Sequence, residues 1–528
     1  MLTSVRCFVA RKYVELLEEE KQMRTAKQIH ASSHRKPHWG SINWETVGRK
    51  VKKLQMRIAK AVREGRYRLA KSLQWLLTHS FYAKLLAIKR VVTNKGKATP
   101  GVDGVVWKTP EKKLQAVYSM KRRGYYPLPL RRVYIKKKSG KLRPLGIPSM
   151  RDRATQALHT LALAPVAETT GDPNSYGFRE GRSCADAIEQ CFVCLAKRRS
   201  PRWVLEADIK SCFDRIDQEW ILNNILADKE ILRLWLEAGY MDKGKLYPTK
   251  AGTPQGAILS PTLANMTLDG LEAAIKTAVT RGSKVNVIRY ADDFIVTGKS
   301  EETLKEKVMP AIQNFLKERG LNLSLEKTKI TRIEDGFDFL GQHLRKYGEK
   351  LIIIPSKSSV KSIITKIKQI AKSYLGHATS KMIEELNPVI RGWANYHRHV
   401  CSKETFRHID NCIFKILWNW ARRRHRNKGK RWIRKHYFRT IGLRNWVFYG
   451  TQKGEKGKSR VIDLLQTSTI KIVRHVKIRG KANPYSRDGQ GYFAKRKYEK
   501  YSKPFNYIPS EVTEQLGHLN AEVGLRRA

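Results

Sequence analysis

The sequence predicts an α+β protein in which mixed strands and helices give way, towards the C-terminus, to helices alone. Three observations carry that prediction. Two short apolar runs, residues 285–290 and 294–297, flank the aspartate pair of the segment YADDF, the pattern of an antiparallel hairpin with its tip at a sheet edge. Another apolar run, 203–207, ends in Asp208 and passes into an amphipathic helix carrying Phe213 and Ile216. Beyond a turn at 355–359 the apolar residues keep helical spacing only, over 360–371, 382–399 and 404–424.

Taken in order, residues 1–42 read as a polar, helical extension. Its opening MLTSVRCFVARK faintly follows an Arg-rich transit peptide, but Glu15, Glu18, Glu19 and Glu20 follow at once, which such peptides avoid, so a cytoplasmic setting is expected. From 43 to 100 apolar residues recur at helical spacing among many Lys and Arg; strand and helix patterns alternate over 101–345; 352–449 is the helical region, and 450–528 is basic and turn-rich. No apolar run reaches the roughly 18 residues of a membrane span, and no membrane partner is expected. The seven cysteines are odd in number and scattered. Cys191 and Cys194 form a CxxC without a second pair, which reads as a buried helix face rather than a zinc site.

The chain carries 105 Lys and Arg against 47 Asp and Glu, a net charge of +58 over 528 residues. That excess self-repels in a compact fold unless a polyanion neutralises it, so nucleic acid is the expected partner and binding should be salt-sensitive. Aromatic residues are interleaved with the charge, as at Trp432 and Tyr437, where rings can stack on unpaired bases. Residues 421–440 hold ten Lys or Arg and no acid, either a solvated face or an RNA contact.

Adjacent Asp292 and Asp293 repel each other unless a cation sits between them, and a hard divalent ion such as Mg²⁺ suits carboxylate oxygen. Asp is also a common turn former, and an isolated pair in a hairpin is structural more often than not. Asp208 supplies a third carboxylate at another strand end, enough for two metals. The turn from Gly252 to Gly256 opens an apolar helix over 257–268, so its N–H groups and Gln255 can face phosphate or base, although Pro and Gly at a helix start are routine punctuation.

At this point a family resemblance enters. DIKSCFD (208–214), PQGAILSP (254–261), YADDF (290–294), LNLSLEKTKI (321–330) and FDFLG (337–341), preceded by GKLRPLGIP (140–148) and SYGFREGRS (175–183), closely resemble, in order, the motifs of reverse transcriptase and maturase proteins encoded by group II introns. The resemblance runs from about 44 to about 449. It implies a right-hand polymerase fold: an N-terminal template- and RNA-binding segment of the fingers at 43–100, fingers and an antiparallel palm sheet within 101–345, a helical thumb or maturase domain at 352–449, and a DNA-binding-like region at 450–528.

The resemblance also implies roles. Asp208, Asp292 and Asp293 would be catalytic, binding two Mg²⁺ that activate the primer 3′ hydroxyl and stabilise pyrophosphate. Lys137, Lys141 and Arg143 would hold the dNTP triphosphate, together with Gln255; from Arg131 to Arg143 there are seven basic residues and no acidic one, although for any single lysine a solvated hairpin tip is the alternative. Phe213 would collide with a ribose 2′ hydroxyl, or else be a core phenylalanine. Lys327 would donate a proton to pyrophosphate, or else be a surface lysine beside Glu326. Phe339, Leu340 and Gly341 would grip the primer. LNPVIRGWANYHRHV (386–400) resembles the maturase region, and Arg391, Arg422, Arg423, Arg424, Lys430 and Arg431 would contact RNA.

HVKIRGKANPY (475–485) resembles the segment that often precedes an HNH endonuclease, yet the last cysteine is Cys412, so the cysteine pairs of that nuclease are missing and a primer from elsewhere is expected. The implied function is an RNA-directed DNA polymerase that binds its group II intron RNA, assists its splicing and copies it during retrohoming. Its partners would be that RNA, an RNA template with DNA primer, dNTPs and target DNA, in a nucleoid-associated setting. Two alternatives stand beside it: a splicing maturase with little polymerase activity, against which the intact aspartates argue, and a related reverse transcriptase recruited to a host role. A viral-type RNA polymerase would carry Gly before the Asp pair and a smaller residue at 213.

Overall fold

The helical spacing that begins near residue 43 produces three helices, Trp44–Arg63, Tyr67–His79 and Phe81–Thr93. The computed structural model describes residues 38–136, 140, 142–249, 251–453 and 459–502; the expectations for 1–37 and 503–528, and for Lys137 and Lys141, lie outside them. Asn43 caps the first helix by accepting from Thr46 N at 3.0 Å. Val47, Val51, Ile58 and Val62 are buried on one face while Lys53, Arg57 and Lys60 reach solvent on another, the division an amphipathic helix requires. All three helices pack on Met150–Thr170, which buries residues around most of its circumference and therefore serves as the central helix of this region.

Strands β1 (Leu130–Lys136) and β2 (Leu142–Ile147) form an antiparallel hairpin. Further along come β3 (Trp203–Asp208) and a short hairpin, β4 (Tyr240–Asp242) with β5 (Lys245–Tyr247), which joins the first pair in the order β2-β1-β4-β5. The palm sheet adds β6 (Asn286–Tyr290), β7 (Asp293–Gly298) and β8 (Lys329–Arg332), ordered β6-β7-β3-β8 and antiparallel at every step. Both faces of this sheet are covered. Leu205, Ala207, Phe294 and Val296 face the main core shared with the N-terminal helices, while Val204, Ile288 and Ile295 face a second core. Burial on both sides is why these strands read as unbroken apolar runs.

That second core is shared with a sheet of β9 (Phe337–Phe339), β10 (Gln342–Tyr347) and β11 (Lys350–Pro355), ordered β11-β10-β9. The three expected C-terminal helices follow as Lys357–Ser373, Thr379–His397 and Lys403–Arg424, around a core of Ile367, Ile383, Leu386, Ile390, Ile409 and Leu417. A fourth helix, Lys430–Tyr437, closes this run. Beyond it the expectation of helices alone needs an addition: β12 (Phe438–Ile441), β13 (Arg444–Lys453) and β14 (Ser459–Asp463) make a three-stranded antiparallel sheet. The boundary placed at 449/450 therefore falls inside β13. Phe438, Val447 and Phe448 are buried, and Gly442 at φ +54° makes the turn.

Residues 475–485 return to the fingers–palm junction. His475 Nε2 and Ile478 N both lie 2.8 Å from Asp186 Oδ1, Arg182 donates to Gly480 O at 3.0 Å, and Tyr485 OH donates to Glu180 Oε2 at 2.8 Å. Arg496, on the helix Arg487–Ser502, donates to the same Asp186 oxygen at 2.7 Å. Asp186 and Ile478 are fully buried, so this part of the basic C-terminal region is built into the polymerase body. Among the described residues no helix is long and apolar enough to cross a membrane.

Candidate active site

Strand register gathers the three aspartates. Asp208 ends β3 and Asp293 begins β7, and the two are paired directly across the sheet. Tyr290 of β6 pairs with the same Asp293, leaving Ala291 and Asp292 as a two-residue turn. Ala291 adopts φ +59°, which tight hairpins require and non-glycine residues seldom accept. The turn is held from outside by Gly177 of the SYGF motif, where a Cβ would come within 2.4 Å of Ala291 N. It is held from beneath by Arg289, a fully buried arginine that donates to Asp269 Oδ1 at 2.5 Å, Asn265 Oδ1 at 3.2 Å and Ala291 O at 3.5 Å.

The electrostatics show carboxylates competing. Asp293 is pushed up to about 6, first by desolvation, then by the charges of Asp292 and Asp208. Asp292 is raised by desolvation and by Asp208, with Arg143 and Lys327 opposing. Lys327 donates to Asp208 Oδ2 at 2.7 Å. Its segment is seated on the end of β3, because Ser324 N donates to Asp208 O at 2.8 Å and Lys210 N to Asn322 O at 2.9 Å. The ammonium thus faces the aspartates rather than Glu326. Its own pKa is raised by the hydrogen bond to Asp208.

A second group lies beside the first. Arg143 on β2 donates to Gln255 Oε1 at 2.9 Å, and Gln255 Nε2 donates to both carboxylate oxygens of Asp214 at 2.8 and 2.9 Å. The glycines explain the close approach. Gly256 sits at φ +104° and Gly252 at φ +78°; a Cβ on Gly256 would lie 2.7 Å from Gly146 O, and one on Gly252 2.4 Å from Phe213 O. The helix that follows begins at Ser260 rather than at 257, since the clamped turn occupies those residues. Asp214 was not singled out by the sequence; its signal was its place six residues after Asp208 in DIKSCFD.

Phe213 belongs to a helix of four residues, Cys212–Arg215, instead of the longer amphipathic helix expected. Ser211 enters it at φ +50°, and Asp217 caps a separate helix, Gln218–Asn224, through Trp220 N at 2.6 Å. Phe213 is half-buried against the main core. In the turn between β9 and β10, Leu340 at φ +49° and Gly341 at φ +74° form a left-handed pair whose Leu340 O accepts from Tyr396 OH at 2.8 Å. The 386–400 motif thereby reaches the residues expected to grip the primer.

The basic residues separate by environment. Arg391, Arg422, Arg423, Lys430 and Arg431 are exposed. Arg424 is half-buried, donating to His377 O and lying 5.2 Å over the Trp420 ring, so part of its role is structural. Tyr437 is a correction: it is buried, stacked on Phe448, because Ile433 and Tyr437 form the inner face of the helix Lys430–Tyr437. Trp432 is exposed, with His436 stacked on it at 4.4 Å.

The donor set suits a hard divalent ion, since all three groups are carboxylates and Asp293 carries the surplus negative charge such an ion relieves. Among the described residues no group of three His, Cys, Asp or Glu is drawn together closely enough to hold a metal, and one Asp208 oxygen is engaged by Lys327.

Comparison with known proteins places this geometry. The reverse transcriptase (RNA-dependent DNA polymerase) family model matches residues 135–344, the N-terminal domain of reverse transcriptase 39–120, and the group II intron maturase-specific domain 360–438. Protein YkfC of Escherichia coli (strain K12) is 33% identical over 316 residues, covering 51% of this chain and 82% of YkfC. The group II intron-encoded protein LtrA of Lactococcus lactis subsp. cremoris is 31% identical over 345 residues; the match takes in 52% of this chain and 56% of LtrA, so the chain spans little more than half the length of that relative. Among solved structures, apo telomerase from Candida tropicalis aligns with a TM-score of 0.37 at 14% identity, covering 58% of this chain and 59% of that one. With the three models falling in the order of the motifs, and aspartates on adjacent palm strands, the chain belongs to the family of group II intron-encoded reverse transcriptases with a maturase domain.

Proposed function

We propose that the chain copies RNA into DNA by a two-metal mechanism, binds its own group II intron RNA, assists its splicing and copies it during retrohoming. The observation that carries the reading is the register that sets Asp208 directly opposite Asp293, with Asp292 in the adjoining turn and the Lys327 ammonium on Asp208. Asp208, Asp292 and Asp293 would hold two Mg²⁺, which supply activation of the primer 3′ hydroxyl and neutralisation of the leaving pyrophosphate.

The remaining chemistry falls to the chain's own groups. Arg143 offers a guanidinium fork to the triphosphate, and Gln255, tethered to Asp214, aims it. Lys327 carries the proton that pyrophosphate takes on leaving; its raised pKa keeps it charged until that moment. Phe213, on the short helix that follows Asp208, meets the sugar and disfavours a 2′ hydroxyl. The exposed cations Arg391, Arg422, Arg423, Lys430 and Arg431 bind intron RNA, and a cytoplasmic, nucleoid-associated setting follows from these substrates. Primer extension on an RNA template by Asp292→Ala tests the reading: synthesis should vanish while RNA affinity stays within about twofold, since the carboxylates serve metals rather than binding. Retained extension would overturn the catalytic assignment.

A further inference from the structure

The sheet β2-β1-β4-β5 has two faces, and the proposed chemistry uses one. Arg143 is paired with Ile135, so both project to the side on which Arg143 meets Gln255. The neighbouring residues Arg132 and Tyr134 must project to the other side, as strand alternation requires. Parallel pairing sets Leu130 beside Tyr240, and antiparallel pairing sets Tyr240 opposite Tyr247, which puts both tyrosines on that second face.

There the side chains form a column. The Arg132 guanidinium lies 3.6 Å from the Tyr240 ring centroid, and Tyr240 stacks on Tyr247 at 5.3 Å with an interplanar angle of 16°. The column crosses from β1 to β4 to β5 and ends at the sheet edge. Tyr247 is 40% exposed, with Tyr134 at 47% on the same face. The one acidic group there, Asp242, accepts from Tyr134 OH at 2.5 Å, while Lys136 and Lys245 share the face and Lys243 holds the turn at φ +48°.

A cation-capped stack of rings ending in an exposed tyrosine, flanked by lysines, suits a nucleobase with its phosphates. We propose that this outer face of the fingers sheet is a stacking platform for single-stranded RNA, with a base of the still uncopied template placed on Tyr247 and its phosphates on Lys243 and Lys245. The proposal rests on the polymerase reading, because the occupant is the strand that polymerase copies. RNA rather than protein is favoured by the charge: among the described residues of these strands the acidic side chain on this face is Asp242, already held by Tyr134. An unpaired template also needs no sequence readout, which stacking supplies.

The test uses the full chain and two primed RNA templates, one with a 5′ overhang of about two nucleotides, enough to direct the first additions, and one with a 5′ overhang of about twelve nucleotides carrying a single 2-aminopurine. Wild-type protein should quench that fluorophore and bind the overhang template more tightly. Tyr247→Leu, which keeps an apolar residue on the strand but removes the π face, should abolish the quench and weaken overhang binding by about five- to a hundredfold. Tyr247→Phe should retain both, and addition of the first nucleotide on the short-overhang template should be equal in all three. Unchanged quench and affinity in Tyr247→Leu would overturn the platform and show a cross-strand pair that only stabilises the hairpin. Equal losses on both templates would overturn it as hairpin damage. A wild-type dimer that Tyr247→Leu dissociates, with no quench in either, would assign the face to a second copy instead. Failure of the wild type to extend any template would count against the polymerase reading and leaves the quench to judge the platform.

Discussion

Removing Arg289 isolates what holds the aspartate turn in place. Its guanidinium is 2% exposed and its partner Asp269 10%, and the same guanidinium reaches Asn265 and the carbonyl of Ala291. Taking one partner from a buried pair costs about 3–5 kcal/mol, because the other charge is left without compensation. Asp269 is already pushed up to about 6 from 3.8, burial outweighing the lowering by Arg289. A carboxyl whose folded-state pKa is raised contributes stability that is present below the unfolded value and lost as pH rises through the folded one. Without Arg289 that folded pKa moves higher still, so the loss continues beyond pH 6. The deficit of Arg289→Ala relative to wild type should therefore be smallest in acid and grow as pH rises above about 6. Adding Asp269→Asn should recover part of it by removing the buried charge. Urea denaturation from pH 5 to 8, with hydrogen exchange across 286–298, measures the effect, and primer extension should fall in kcat more than in KM as the Ala291 carbonyl loses its brace. An Arg289→Ala deficit below about 1 kcal/mol, or one independent of pH, would refute this account of the turn.

Other expectations follow from the site. Lys327→Met should lower the rate of nucleotide addition by about a hundredfold or more while leaving dNTP binding within a few-fold, and Lys327→Arg should restore part; a loss confined to KM would make Lys327 a binding group. Phe213→Val should raise ribonucleotide incorporation relative to deoxynucleotide in direct competition, and an unchanged ratio with retained activity would return Phe213 to the core. Neutralising the exposed Arg422, Arg423, Lys430 and Arg431, with Arg424 left to its structural role, should make the salt dependence of intron RNA binding shallower by about one unit of slope for each phosphate the protein ceases to neutralise. Splicing at low Mg²⁺ should suffer before polymerisation on a short template, and an unchanged slope would mark the run as a solvated surface.

The residues show why some of this was legible beforehand. The hairpin of β6 and β7 announced itself because two apolar runs bracket a charged turn, and the three C-terminal helices because Ile363, Ile367 and Ile370, then Ile383, Leu386 and Ile390, then Ile409, Ile413 and Leu417 recur at helical spacing. What stayed hidden was set by partners distant in sequence. Asp269 lies twenty residues before Arg289, and nothing in either neighbourhood declares the pair. The helix after Asp208 stops at Arg215 because Asp217 caps the next one, a choice periodicity does not express. Tyr437 was masked by the surrounding charge, which hid that Ile433 and Tyr437 share an inner face. Basic composition likewise concealed the docking of 475–485, where Ile478 and Tyr485 are buried while Val476 is exposed.

The region 386–400 resembles an RNA-contacting segment, and its side chains divide between two tasks. Arg391 is exposed and open to phosphate. Trp393 instead packs on the C-terminal helical core, and Tyr396 and His397 reach the turn between β9 and β10 and the start of β10. Trp393 Nε1 donates to Ser359 Oγ at 3.1 Å, that hydroxyl lies 2.9 Å from His397 Nε2, and His397 Nδ1 lies 3.0 Å from Gln342 Oε1. A carbonyl oxygen only accepts, so Nδ1 carries the proton and Nε2 accepts from the serine, an assignment the network requires. Burial holds His397 down to about 4, which keeps the imidazole neutral throughout the physiological range. Gln342 follows directly on Leu340 and Gly341, where Tyr396 OH is bonded. The base of the maturase helix is therefore fastened at two points, by Tyr396 to Leu340 and by His397 to Gln342, to the turn proposed to grip the primer, while Arg391 faces outward. A displacement of that helix must strain one of these hydrogen bonds or carry the turn with it, and so RNA bound at the helix and a primer held at the turn would share this mechanical joint.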